Sequence, residues 1–200
     1  MDKVSNGKKL IIENISQLAK VIYGREKGIE IVSYLKSQLP NLAKTGLLAM
    51  NLEGVETIDY PAADEIIKGM FALSWAGEIL PGQRSLWLGG RENVLETLTA
   101  AHRDRDLVGF HFKDIESLKN NNWRLLGMLP KHLDDTLREL FRAGTTDVNE
   151  LAKRMEITNG ACQNRLVDLM RRGLVIRRIA SSYGKYNYEF SCHQEKYTSK

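Results

Sequence analysis

Residues 1–112 alternate short apolar runs with segments in which apolar residues recur at helical spacing. Leu47-Leu-Ala-Met-Asn-Leu52 is typical of a buried strand, whereas Val32 and Leu35 belong to a helical pattern that Pro40 ends. The patterning predicts strands at 9–15, 47–52, 85–88 and 107–112, and helices at 25–39, 62–73 and 92–102. Strands and helices in alternation favour an α/β layer with parallel neighbouring strands.

The pattern changes near residue 131, where three shorter helices follow one another. Apolar residues share one side of a helix over 132–143, and Gly144 ends it. Asp147 is a candidate cap for a second helix, and Thr158 or Asn159 for a third. The third helix should bury Cys162, Leu166, Leu169 and Met170, which lie at helical intervals, before Gly173 ends it.

The third helix leads into an apolar and basic segment that begins a hairpin. The segment reads Leu169-Met-Arg-Arg-Gly-Leu-Val-Ile-Arg177, and a turn over 181–185 and an alternating strand over 186–190 complete the hairpin. Over residues 131–190 the chain resembles the winged helix-turn-helix family, in particular bacterial regulators. The resemblance implies an α+β domain that binds duplex DNA. Some members of that family bind protein or RNA, and those alternatives stay open.

The basic charge of the chain is concentrated in its last third. The formal net charge is +4, with 16 basic and 16 acidic residues over 1–130 but 13 basic and 9 acidic residues over 131–200. Within 159–186, six basic residues face a single acid, Asp168. A concentrated basic surface is what phosphate neutralisation requires. The alternative is an ordinary solvated helix face.

The outward side of the third helix carries the residues expected to contact DNA. Gln and Asn can form paired hydrogen bonds with adenine, and Arg with guanine. We assign base-edge contacts to Gln163 and Asn164, close to the exposed helix start at Asn159. The other expected contacts are to phosphates, by Arg165, Arg171, Arg172 and Lys185, and to the backbone or minor groove, by Arg177, Arg178 and Tyr183. For each residue taken alone, plain solvation is the alternative.

A second distinctive run lies in the first half of the chain, between a predicted strand and a predicted helix. It carries Gly54-Val55, then Ile58-Asp59, then a helix with Ala63, Asp64 and Glu65, and Pro61 stands near the first helical position. Over residues 8–112 the chain resembles the STAS domain, the fold of anti-sigma-factor antagonists, and more closely STAS-like bacterial proteins of undefined role.

The resemblance carries an expectation about partners. In the antagonist family a serine at the helix start is phosphorylated, but here Asp59, Tyr60 and Pro61 occupy that region and only Thr57 lies nearby. We therefore expect no phosphoserine switch. We expect a docking or ligand-sensing surface formed by Thr57, Asp59, Tyr60 and Asp64. A scaffold or dimerisation role for the domain is the alternative.

These patterns predict two domains and a connector. We expect a STAS-like α/β domain over 1–113, a packed connector over 114–130, a winged helix-turn-helix over 131–193 and a flexible tail over 194–200. No apolar run approaches the ~20 residues of a membrane span, and the amino end lacks a signal-peptide pattern, so we expect a cytoplasmic protein with no membrane partner.

Candidate chemistry is sparse, and we expect neither an enzyme nor a metal or cofactor site. Gly89-Gly90 precedes a helix and could cradle a phosphate, but no Walker or GxGxxG spacing accompanies it, which favours a simple turn. His102 and His111 lie near acids at spacings that match no metal template. The two cysteines are too few for a disulfide framework.

Together these features predict a sequence-specific, duplex DNA-binding transcriptional regulator that acts as a homodimer. Its STAS-like domain would sense a ligand or protein partner and reposition the two DNA-reading helices. The first alternative is a protein-interaction regulator that docks on an ATPase or kinase-like partner. The second is a DNA-binding accessory subunit of a phage-defence or mobile-element system.

Overall fold

A computed structural model describes residues 10–38, 47–75, 86–120, 122–179 and 186–190, and the chain divides into two compact units after Gly127. The first unit contains β1 (Leu10–Asn14), β2 (Val21–Ile22), α1 (Arg25–Gln38), β3 (Leu47–Asn51), β4 (Thr57–Ile58), α2 (Tyr60–Trp75), β5 (Leu86–Leu88), α3 (Glu92–Asp104), β6 (Val108–Phe112), α4 (Ile115–Lys119) and β7 (Trp123–Gly127). Within the described ranges, no helix has the length and apolar character that crossing a bilayer requires.

A mixed five-stranded sheet organises the first unit, in the order β1-β3-β5-β6-β7. The first four strands are parallel, and β7 pairs antiparallel with β6. Because strand order follows chain order, right-handed crossovers put α1, α2 and α3 on one face; α1 packs on α2 and α2 on α3. The predicted α/β layer with parallel neighbours is confirmed. A separate parallel pair joins β2 to β4.

The core of this unit lies between the sheet and its three helices. Met50 of β3 and Trp87 of β5 are fully buried there, together with Leu35, Met70 and Leu98 from the helices. Burial of such side chains contributes roughly 1.5–3 kcal/mol each. The helices approach closely: a Cβ added at Gly28 of α1 would lie 2.7 Å from the carbonyl oxygen of Ala62 in α2.

The start of α2 differs by two residues from the prediction. The helix begins at Tyr60 rather than Ala62, because the Asp59 carboxylate accepts a hydrogen bond from the Ala62 N–H at 3.0 Å and so caps the first turn. Pro61 then lies in that turn, where a missing N–H has no cost.

Residues 114–130, expected as a packed connector, supply α4 and β7 to the first unit. Strand β7 forms the antiparallel edge of the sheet, and Leu126 on it is buried in the core. The division between the units falls after Gly127, within the expected connector. The expected tail over 194–200 lies outside the described residues.

The second unit packs three helices against a small antiparallel sheet. Its elements are α5 (Lys131–Ala143), β8 (Thr145–Thr146), α6 (Val148–Arg154), α7 (Asn159–Arg171), β9 (Val175–Ile179) and β10 (Tyr186–Phe190), with strand order β8-β10-β9. The predicted helices and both hairpin strands are present. Asp147 caps α6, and Thr158, not Asn159, caps α7. The expected hairpin turn over 181–185 lies outside the described residues.

Candidate nucleic-acid interface

Helix α7 has a buried side and an exposed side. Cys162, Leu166 and Leu169 are buried against the rest of the second unit. At 100° per residue, Asn164 and Arg171 project from the opposite side. We define the outer face of α7 as its exposed residues, which are Asn159, Gly160, Gln163, Asn164 and Arg171. The face combines three amide side chains, one guanidinium and one glycine.

Two amides of the outer face lie where α7 meets α6 and β10. The Nδ2 of Asn159 donates to the Oδ1 of Asn149 at 2.7 Å, which ties the start of α7 to α6. Gln163 lines a groove of about 240 Å³ together with Asn149, Tyr186 and Tyr188. Asn149 and Tyr186 were not singled out from the sequence. A signal for Asn149 was its position two residues after the predicted cap Asp147, in the first turn of the predicted helix.

Arg171 is the cation of the outer face. Its side chain is 78% exposed, and its Nη1 lies 3.6 Å from the Oδ1 of Asp168, which is half exposed. A surface ion pair of this kind contributes roughly 0–1 kcal/mol. The guanidinium can therefore exchange Asp168 for a phosphate at little cost.

Arg165, expected on the same DNA-facing side, lies on a different flank of α7. Its Nη1 donates to the Oγ1 of Thr136 in α5 at 3.4 Å, and it lines a hollow with Glu139 and Arg154. Arg172 is seven residues further along, two turns away on the same flank, and is half-buried. The structure thus separates these two arginines from the outer face.

The hairpin holds a second exposed cation. The guanidinium carbon of Arg177 in β9 lies 4.4 Å from the centre of the Tyr186 ring in β10. A cation–π contact at an exposed site contributes roughly 0.5–1 kcal/mol and holds the charge in place. Arg178 belongs to β9, but its side chain, like Tyr183 and Lys185 as a whole, lies outside the described residues.

Four cations of α5 and α6 pair with acids on the same helices. Lys131 pairs with Asp135, Arg138 with Asp134, Arg142 with Glu139 and Arg154 with Glu150, at 2.7–3.2 Å. The hydrogen bond from Arg154 lowers the pKa of Glu150.

Two of the four expected docking residues in the first unit are carboxylates that accept hydrogen bonds within that unit. Asp59 accepts hydrogen bonds from the N–H groups of Gly24 and Ala62. Asp64 is buried and accepts two hydrogen bonds from the Arg105 guanidinium. Arg105 is 41 residues away in sequence, so no local pattern reveals that pair.

The other two expected docking residues are exposed. Thr57 lies on β4 beside Val21 of β2, which is also exposed. Tyr60 is 40% exposed, and its hydroxyl donates to Asp104 at 3.1 Å. Tyr23, which follows β2, is 78% exposed. This surface, formed by Val21, Tyr23, Thr57 and Tyr60, is the part of the expected docking region that a partner could reach.

Among the described residues, no group of three or more His, Cys, Asp or Glu side chains is arranged to hold a metal ion. Cys162 is buried in the core, and desolvation raises the pKa of its thiol, which makes the thiol unreactive.

The comparisons with known proteins give no family for this chain. No protein-family model matches it, and no curated protein matches it significantly.

Proposed function

We propose that the protein is a sequence-specific duplex DNA-binding regulator of transcription. In this proposal the second unit is a winged helix-turn-helix, with α6 and α7 as the paired helices and the β9–β10 hairpin as the wing. The observation that carries it is the outer face of α7, which displays amides and Arg171 beside the hairpin cation Arg177. Four cations of α5 and α6 in that unit pair with acids on their own helices.

The dimensions of α7 suit the major groove. An α-helix with its side chains is about 10–12 Å across, and the groove is about 12 Å wide. Asn164 and Gln163 would meet base edges, and amides of this kind pair with adenine through two hydrogen bonds. Gly160 has no neighbouring atom within 4 Å of an added Cβ, so it leaves open space at the helix start. Arg171 and Arg177 would meet phosphates on either side.

The first unit is proposed as a STAS-like module that transmits a signal to the DNA-binding unit. Such a regulator acts in the cytoplasm, as a homodimer on a site of two-fold symmetry. The exposed apolar residues Val21 and Tyr23, next to Thr57, favour one alternative, a regulator whose first unit docks on a protein partner. The alternatives differ in affinity for DNA, because the docking protein would bind every sequence weakly.

Selection of bound fragments from the source genome tests the proposal. The full-length chain is expected to enrich fragments that share a sequence motif, and Asn164→Ala or Gln163→Ala should relax preference within that motif. Each mispaired position costs roughly 1–3 kcal/mol of binding free energy, so the loss of preference is measurable. Enrichment without a motif, or a motif that both variants leave unchanged, would contradict this assignment.

A further inference from the structure

A cavity of about 420 Å³ lies within the first unit, at the carboxyl ends of the parallel strands. Gly89 and Gly90 follow β5, Lys113 follows β6, and Arg124 lies near the start of the antiparallel β7. Open α/β sheets bind their ligands outside the carboxyl ends of the strands, where loops and helix starts converge. The volume is within the usual range for small-molecule sites.

A buried histidine orients the arginine of this cavity. His111 is 6% exposed, and its Nε2 lies 3.0 Å from the carbonyl oxygen of Gly89. The Nε of Arg124 donates to the Nδ1 of His111 at 3.1 Å. Because Nδ1 accepts, the imidazole is neutral and its Nε2–H donates to Gly89. Burial also lowers the pKa of His111, which keeps the ring neutral.

The Arg124 guanidinium retains donors for a ligand. Of its five N–H groups, one binds His111 and one lies 3.5 Å from Glu92, whose side chain is 70% exposed. No other hydrogen bond of Arg124 is formed among the described residues. The buried His111 holds the guanidinium in place, and the contact with the exposed Glu92 is weak. Arg124 can therefore bind an anion.

Other groups around the cavity favour an anion with an apolar part. Lys113 adds a second cation, and the Ser117 side chain also lines the wall. Arg91 is the N-cap of α3, and its side chain accepts no hydrogen bond from the first N–H groups of that helix. The positive end of the α3 dipole is therefore not capped by this residue. Trp123 and Leu95 supply an aromatic and an aliphatic wall.

Two glycines, Gly89 and Gly90, form part of the lining of the cavity. Gly89 and Gly90 have φ of +63° and +103°, a region that favours glycine. The sequence alone favours a simple turn here, because no Walker or GxGxxG spacing accompanies the two glycines. The cations of the cavity come from later in the chain, from β7 and the segment after β6. The antiparallel register His111↔Arg124 brings them to the same edge.

We propose that this cavity binds a small organic phosphomonoester, with its phosphate at Arg124 and Lys113 and its apolar or planar part against Trp123 and Leu95. The proposal does not depend on DNA binding, because every residue that it uses lies in the first unit. It assigns the signal of the first unit to a soluble phosphorylated metabolite.

Isothermal titration of the full-length protein tests this with three probes: adenosine 5′-monophosphate, glucose 6-phosphate and inorganic phosphate. At least one ester is expected to bind more tightly than inorganic phosphate, and the comparison of the two esters shows whether a planar group adds affinity. Arg124→Gln should weaken binding by about 10-fold or more, since it removes a charge-assisted contact.

Arg103→Gln is the matched control, because Arg103 is an exposed arginine of the same unit that does not line the cavity. It should leave the affinity of the esters unchanged. The proposal is overturned if no probe binds at millimolar concentration, if inorganic phosphate binds as tightly as both esters, or if Arg124→Gln and Arg103→Gln behave alike. Thermal unfolding of each variant verifies that the first unit remains folded.

Discussion

The indole of Trp87 donates a hydrogen bond to the Nε2 of His102 at 3.2 Å, in the core of the first unit. The two rings meet edge to face, with centroids 6.3 Å apart and an interplanar angle of 85°. Because Nε2 accepts, the proton of the neutral ring resides on Nδ1, which has no hydrogen-bond partner among the described residues. Complete burial lowers the pKa of His102 to about 3.

The burial of His102 predicts that the folded protein loses stability as the pH falls below 6.5. Its folded pKa of about 3 is below the ordinary 6.5, so between these values the unfolded chain takes up a proton that the folded protein does not. The free energy of unfolding should therefore fall by up to about 1.4 kcal/mol per pH unit from this group as pH drops below 6.5. Urea unfolding, followed by circular dichroism at several pH values, measures the slope.

His102→Gln is the test of that assignment, because its amide oxygen can still accept from Trp87 but does not titrate. In this variant the change of unfolding free energy with pH should be smaller by the contribution of one titrating group, up to about 1.4 kcal/mol per pH unit. His111 is also buried with a lowered pKa and contributes in the same direction, so part of the slope should remain. An unchanged slope in His102→Gln would show that His102 is not the responsible group.

The Asp64–Arg105 pair should stabilise the first unit. Asp64→Asn should lower the free energy of unfolding by about 1–3 kcal/mol, because it weakens the hydrogen bonds that Arg105 donates at a buried position. Arg105 holds the pKa of Asp64 below 3.8, so the pair stabilises the protein above that pH and its contribution is lost as pH falls through the folded pKa. Chemical unfolding at neutral pH measures the difference.

Asp104→Asn is the control for that pair, because Asp104 is half exposed and its polar partners in the described part of the chain are Tyr60 and the neighbouring Arg103, both exposed. Its effect should be within about 0.5 kcal/mol. Equal losses in the two variants would contradict a structural role that is specific to Asp64.

The two flanks of α7 predict different responses to salt. Arg171→Ala should weaken binding to every DNA sequence and reduce the slope of log affinity against log salt by about 1, the value of one phosphate contact. Arg165→Ala, a change of the same residue type on the same helix, should leave the slope nearly unchanged because Arg165 faces α5. Fluorescence anisotropy over a salt series measures both. Equal slopes would mean that the outer face does not meet the phosphates.

Two helical glycines should respond to alanine in opposite directions. Gly28→Ala places a Cβ within 2.7 Å of the Ala62 carbonyl oxygen, so it should separate α1 from α2 and cost roughly 1–3 kcal/mol. Gly160→Ala meets no atom within 4 Å and should raise stability by up to about 1 kcal/mol. Thermal unfolding of the two variants measures the difference. If both variants are destabilised, the packing around the added Cβ does not explain the effect, and the backbone conformation of the glycines does.

The alternation of long elements was predictable from the sequence, because each presents several periods of its hydrophobic pattern. The β2–β4 pair and strand β8 were not predictable, because a strand of two residues is too short to show the alternation of apolar and polar positions. Strand β7 was predicted as part of a connector because Asn120-Asn-Asn122 and Pro130 surround it. Its apolar residues signalled packing, but the partner strand β6 appears only in the fold.

The candidate site divides in the same manner. The exposed positions of Asn164 and Arg171 follow from helical spacing relative to Leu166 and Leu169. The orientation of Arg165 does not, because it depends on where α5 packs. The contact of Arg124 with His111 needs the antiparallel register of two strands, which no local pattern encodes.

The two sheets differ in when they can close during synthesis. Strand order follows chain order in the first unit, so its sheet can grow at a single edge as the polypeptide leaves the ribosome. In the second unit β10 lies between β8 and β9, so that sheet cannot close until the chain reaches residue 190. Nascent chains of increasing length should therefore acquire protease resistance in two steps, the first unit before the second.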